Sequence, residues 1–119
     1  PVHYGGLCID MDRLNRIAGD IPIIQDAAHS IGTTFNGKHL CELSDYVMYS
    51  FQAIKHFTTG DGGMLLVNKE LEDKAKRIRW FGIDRKAKQG GIWENDITEI
   101  GYKYQMTCWF RRNRLCYWC

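Results

Sequence analysis

"IPIIQDAAHS", residues 21–30, is the stretch on which the fold turns. Its apolar run is short and stops at Asp26. A run of that length, bounded by a loop-forming segment, suits a buried strand. The strand spans 21–25 in this reading, and its C-terminal end delivers Asp26 and His29 to a loop. A carboxylate at such an exit is costly unless it meets a cation or is well hydrogen-bonded. A helix cap or a loop salt bridge would satisfy it. So would a role as counter-charge to a buried cationic ligand.

The segments on either side extend the pattern. "IDMDRLNRIAGD" (9–20) predicts an amphipathic helix, with Met11, Leu14, Ile17 and Ala18 on one side and Gly19 as C-cap. "GTTFNGKHL" (32–40) centres on Asn36-Gly37 and predicts a β-hairpin. "DYVMYSF" (45–51) and "GGMLLVN" (62–68) predict two further strands. "KELEDKAKRIRWFG" (69–82) predicts a helix capped by Asn68 and ended by Gly82. Residues 83–95 are polar and read as a loop, and "DITEIGYKYQM" resumes order in a form the pattern leaves open. Helices alternating with strands indicate an α/β fold. Its ligands are expected at the C-terminal ends of the strands.

The 119 residues carry a formal net charge of +2, which gives no reason to expect nucleic acid. No basic stripe with interleaved aromatics occurs. There is no run of eighteen apolar residues to form a transmembrane helix. The N-terminus has neither an initiator Met nor a signal-peptide pattern, so the chain is expected to begin within a longer protein of the cytoplasm. Five cysteines, an odd number, are expected as free thiols. Cys116 and Cys119 form a C-x-x-C, but Cys8, Cys41 and Cys108 supply no second pair at zinc spacing, and no metal site is expected. The last residues, "CWFRRNRLCYWC" (108–119), are rich in Arg, Cys and Trp and contain no acid. They show no helical or alternating pattern and are expected to be an atypical, frame-shifted or disordered tail.

Lys55 lies between "SFQAI" and "HFTTGDGG". It could be an ordinary surface lysine. It could also be a partly desolvated amine able to take an aldehyde. Ser50 and the Thr58-Thr59-Gly60 turn offer donors suited to a phosphate. No G-x-x-x-x-G-K-[ST] pattern is present. A lysine for an aldehyde, a carboxylate for a pyridine nitrogen and donors for a phosphate are the set that pyridoxal 5'-phosphate requires.

"IIQDAAHSIGTTFNGK", "SFQAIKHFTTGDGGMLL" and "DITEIGYKYQMT" together resemble the DegT/DnrJ/StrS family of sugar aminotransferases, from about Val2 to Thr107. The resemblance implies part of the large domain of a fold type I pyridoxal-phosphate-dependent transferase, with a mostly parallel sheet flanked by helices, over residues 1–107. It implies that Lys55 takes the cofactor aldehyde and that Asp26 keeps the pyridine nitrogen protonated. Ala28 packs on one ring face, His29 lies beside the phenolic oxygen, and Ser50 donates to the phosphate. Gln52 receives no role, and His3 and Tyr4 either approach the site or pack beneath it. Sugar dehydratase relatives carry His where this chain has Lys55, so transamination is implied. The implied substrates are a nucleotide-linked keto-sugar and an amino-acid donor, glutamate by resemblance, in polysaccharide or antibiotic sugar biosynthesis. "RWFGIDR" and "WENDITEIGYKYQMT" resemble the branch that acts on 4-keto-6-deoxy sugars. The intact parent is expected to be a homodimer, and this part of it alone is expected to be inactive. The alternative is a non-catalytic remnant that keeps the motifs without the function.

Overall fold

The computed structural model describes residues 1–85, 87, 97 and 99–106. They belong to two compact units, one spanning Pro1–Asn68 and one beginning at Lys69. The expected tail at 108–119 and most of the expected loop at 83–95 lie outside the described residues.

The first unit is built on a three-stranded sheet. Helix α1 (Met11–Ala18) precedes it. The Asp10 side chain accepts from the Arg13 N–H and caps the helix, and Gly19 ends it with φ 55°. Met11 is fully buried, but Ile17 is 72% exposed, so the apolar side read from the sequence is covered at one end only. Strand β1 is Ile24–Asp26, beginning later than the run 21–25 suggested. Pro22 supplies no N–H, which disfavours pairing at the start of that run. A hairpin follows, with β2 (Thr34–Phe35) and β3 (Lys38–His39) joined through Asn36 and Gly37. Both turn residues have positive φ, 50° and 78°, as the tight turn requires. A 3-10 turn at Leu40–Glu42 leads to β4 (Tyr46–Ser50), and β5 (Gly63–Val67) completes the sheet.

The sheet order is β1-β4-β5. β1 and β4 run parallel, with Asp26 opposite Met48, and β4 and β5 run antiparallel, with Ser50 opposite Gly63. The sheet is therefore mixed. Val2 adds a parallel bridge to Asp26 on the free side of β1.

Gln25, Val47 and Leu66 share one face, and that face meets the core of Ala27, Leu40 and Val47. Burying the Leu40 and Val47 side chains contributes roughly 1.5–3 kcal/mol each. The other face carries Ile24, Met48 and Leu65, each about half exposed (55%, 42% and 53%). Asp26 and Ser50 lie on that uncovered face, because Asp26 registers with Met48 and Ser50 follows Met48 by two residues.

In the second unit a 3-10 turn (Lys69–Leu71) enters helix α2 (Glu72–Ile78). The expected Asn68 cap does not form. Asn68 donates its side-chain amide to Asp45 instead, and Leu71 occupies the cap position. Acidic Glu72 and Asp73 in the first turn and basic Lys76 and Arg77 in the last suit the helix dipole. Lys76 pairs with Glu72 one turn away. The helix stops earlier than the sequence pattern suggests. Phe81 turns to φ 57°, and the Gly82 N–H donates to the Arg77 carbonyl at 2.8 Å. The segment around Tyr102 then runs antiparallel to the chain at Trp80, with the Tyr102 N–H donating to the Ile78 carbonyl at 2.7 Å. Arg77 and Glu99 pair at 2.5 Å, and that hydrogen bond raises the guanidinium pKa. No helix among the described residues is long and apolar enough to cross a membrane.

Candidate active site

Parallel pairing decides which residues meet. Because β1 and β4 run the same way, both finish at one end of the sheet. Asp26 is the last residue of β1 and Ser50 the last of β4. The Ala27 N–H extends the ladder past the strand by donating to the Met48 carbonyl at 2.8 Å. The loop 51–62, which carries Lys55, leaves β4 at this same end and returns as β5.

The Asp26 backbone is held on its other side. Its N–H donates to the Pro1 carbonyl at 2.8 Å, and its carbonyl accepts from the His3 N–H at 2.9 Å. Its Oδ1 accepts from the Ala28 N–H at 3.0 Å. That single bond orients the carboxylate, and no cation pairs with Asp26 among the described residues. Ala28 thus acts on Asp26 through its backbone, while His29 lies against Tyr4, ring centroids 5.1 Å apart. Tyr4 itself is 75% exposed.

The Lys55 loop is closed by its own hydrogen bonds. Thr58 Oγ1 donates to the Phe51 carbonyl and Thr59 Oγ1 to the Asp61 carbonyl. The Gly60 N–H donates to Thr58 Oγ1. The Thr59 and Phe51 backbones join Phe51 and Gly62 respectively, and Phe51 and Phe57 meet edge to face at 5.4 Å. Gly60 and Gly62 adopt φ 79° and 122°, which lets the loop turn back into β5. The donors read from the sequence as suited to a phosphate at Thr58, Thr59 and Gly60 are therefore committed to the loop itself. Ser50 differs. Its Oγ accepts from the Gln52 N–H at 3.3 Å, which leaves its own proton free to donate. The Lys55 N–H donates to the Gln52 carbonyl at 2.9 Å, while its side chain is half-buried and without a carboxylate partner among the described residues.

The donor set fits pyridoxal phosphate. Among the described residues an amine without a counter-ion, a carboxylate without a cation and a hydroxyl with a free proton lie on elements that converge on one sheet end. Among the described residues no three His, Cys, Asp or Glu side chains group as a metal site, and Cys8 and Cys41 are free thiols. Burial raises the Cys8 thiol pKa above its ordinary value.

Comparison with known proteins now places the chain. The profile of the DegT/DnrJ/EryC1/StrS aminotransferase family matches residues 1–109. The chain belongs to this family. It is 42% identical over 114 residues to the uncharacterized protein MJ1066 of Methanocaldococcus jannaschii, covering 90% of this chain and 30% of that one. It is 36% identical over 109 residues to a UDP-4-amino-4,6-dideoxy-N-acetyl-beta-L-altrosamine transaminase of Campylobacter jejuni, covering 89% and 28%. The structure is similar to Spr1654 of Streptococcus pneumoniae in its PLP form, with TM-score 0.78 and 28% identity, covering 91% of this chain and 32% of that one. The α/β arrangement is thus part of the fold type I architecture. The chain spans about 30% of the length of the curated relatives it matches.

The sequence pattern passed over two residues near this site, Gln25 and Ser30, both buried. A signal for Gln25 was present: a lone amide in an apolar run, on the face opposite Asp26. His3, left open between the site and a packing role, is also fully buried.

Proposed function

We propose that residues 1–107 are part of the cofactor-binding large domain of a pyridoxal-phosphate-dependent aminotransferase acting on a nucleotide-linked keto-sugar. The amino donor in this reading is an amino acid, glutamate by family likeness. The single observation that carries it is the parallel register that brings Asp26, Ser50 and the Lys55 loop to one end of the sheet. The Campylobacter relative's name supports a 6-deoxy sugar aminated at carbon 4 as the substrate class. The remaining length of the relatives, and a second subunit in a homodimer, complete the site. The 119 residues alone do not turn over.

Bound pyridoxal phosphate supplies an electrophilic carbon for amines and a ring that takes up electron density. Each residue then has a defined task. Lys55 would hold the group through Nζ, and the same nitrogen would serve as the base for the proton of the donor's α-carbon. A positioned base of this kind contributes ~10²- to 10⁴-fold. Asp26 holds a proton on the ring nitrogen. Its Oδ1 is engaged by Ala28, which leaves Oδ2 to face that proton. Ser50 donates its free hydroxyl proton to the phosphate. By family likeness His29 and Ala28 would help hold the ring.

Titration of the full-length parent with pyridoxal phosphate, followed by visible absorbance, tests the reading. A new band that borohydride bleaches, and that is lost in Lys55→Ala, is the expected result. A band unchanged in Lys55→Ala would remove Lys55 from its role. No band at any concentration would favour the non-catalytic remnant.

A further inference from the structure

We propose that His3 and Gln25 form a positioning pair that fixes the strand end from which the Asp26 carboxylate projects, a role that rests on the reading of Asp26 as the cofactor's partner. His3 is the hub of a closed buried network. The Ile9 N–H points at His3 Nδ1 from 3.4 Å, so Nδ1 is the acceptor and the ring proton resides on Nε2. Nε2 then donates to Gln25 Oε1 at 2.7 Å. The orientation of the Gln25 amide follows, and its Nε2 donates to the Leu40 carbonyl at 2.8 Å and to Ser44 Oγ at 2.5 Å. Both protons of that amide have partners, and no other arrangement of ring and amide satisfies all these groups. His3 and Gln25 are both fully buried.

The network holds the chain on either side of Asp26. Gln25 precedes it in β1 and is locked by the His3 ring. The His3 N–H bonds the Asp26 carbonyl. Ser30, beyond the Asp26–His29 turn, returns its hydroxyl proton to the His3 carbonyl at 2.5 Å. One residue thus fixes the strand before Asp26, the peptide after it and the far end of its loop. A packing role would need only volume. The ring bond to Gln25 and the two main-chain bonds of His3 instead fix the backbone before and after Asp26, and so the point from which its carboxylate projects.

Amide hydrogen exchange on the full 119-residue chain, without cofactor, tests this. His3→Leu and Gln25→Met each strand a buried polar partner, and the Asp26, Ala27 and Ala28 amides should exchange at least about tenfold faster. The double variant strands neither member of the pair. In it the Leu40 carbonyl keeps the Leu43 N–H, and the Ser44 hydroxyl keeps the Tyr46 carbonyl. The double variant should restore protection across β4 and β5 while leaving the Asp26–Ala28 amides about tenfold fast, because an apolar pair has no direction. Recovery at Asp26–Ala28 in step with the rest would show that the pair only fills space, and would overturn the proposal. His3→Gln keeps a donor near the Nε2 position. It should hold those amides within about threefold of wild type, and exchange as fast as in His3→Leu would also overturn it. These readouts need no cofactor. Failure of the full-length parent to bind cofactor, with the exchange pattern intact, would sink the aminotransferase reading and leave the positioning pair standing.

Discussion

Gly63→Ala is the perturbation that most directly couples the fold to the site. Gly63 opens β5 opposite Ser50, and a Cβ built there would stand 2.7 Å from the Tyr49 carbonyl oxygen. Carbon–oxygen contacts normally begin near ~3.3 Å, so β4 and β5 must part by roughly 0.6 Å at this point. The obstacle is backbone and cannot rotate away. Two effects then oppose each other. Alanine removes chain entropy from the unfolded state, which stabilises by about 0.4–1 kcal/mol. Overpacking costs about 1–3 kcal/mol, and the stretched bonds include the Phe51 N–H to the Gly62 carbonyl, now 2.9 Å. The clash prevails by about 1–1.5 kcal/mol. With a urea m-value of about 1 kcal/mol/M, the midpoint should fall by about 1 M. The same separation displaces Ser50 and the root of the Lys55 loop, so cofactor affinity should drop more than stability alone explains. An unchanged or higher midpoint in urea unfolding followed by circular dichroism would refute the close approach.

Leu40→Ala removes the largest member of the core at Ala27 and Val47 and should cost about 2–5 kcal/mol in the same urea assay. Burial, with a smaller contribution from Cys41, raises the Tyr49 phenol above its ordinary pKa. The neutral phenol therefore carries stability that is complete below the unfolded pKa of about 10 and is lost as pH climbs through the higher folded value. Urea midpoints measured across that alkaline range should fall with pH, and Tyr49→Phe should make the fall shallower. A fall of equal slope in Tyr49→Phe would place the titrating group elsewhere.

Local signals made the strands and the first helix legible. Asp10, Gly19 and Asn36-Gly37 behave as their chemistry dictates, and β4 and β5 lie where the apolar runs lie. What local pattern could not convey was pairing. Nothing in "DYVMYSF" or "GGMLLVN" distinguishes a parallel neighbour from an antiparallel one, and the sheet proved mixed. Asn68 shows the same limit, since a long-range partner, Asp45, outcompetes the cap. In the candidate site, Asp26 and Ser50 were legible as polar groups that end apolar strands, and Lys55, on the loop after β4, through the motif around it. The Thr58 and Thr59 hydroxyls misled, because a turn rich in donors satisfies its own backbone first. His3 and Gln25 were obscured because their partners lie 22 residues apart in sequence.

The central claim is that Lys55 is the cofactor's anchor, and the site of covalent capture tests it most directly. The full-length parent is mixed with pyridoxal phosphate, reduced with borohydride, and mapped by peptide mass spectrometry. The account predicts that the reduced adduct concentrates on Lys55, and that Asp26→Ala weakens that preference. An adduct spread evenly over Lys55 and the surface lysines, indifferent to Asp26, would contradict it.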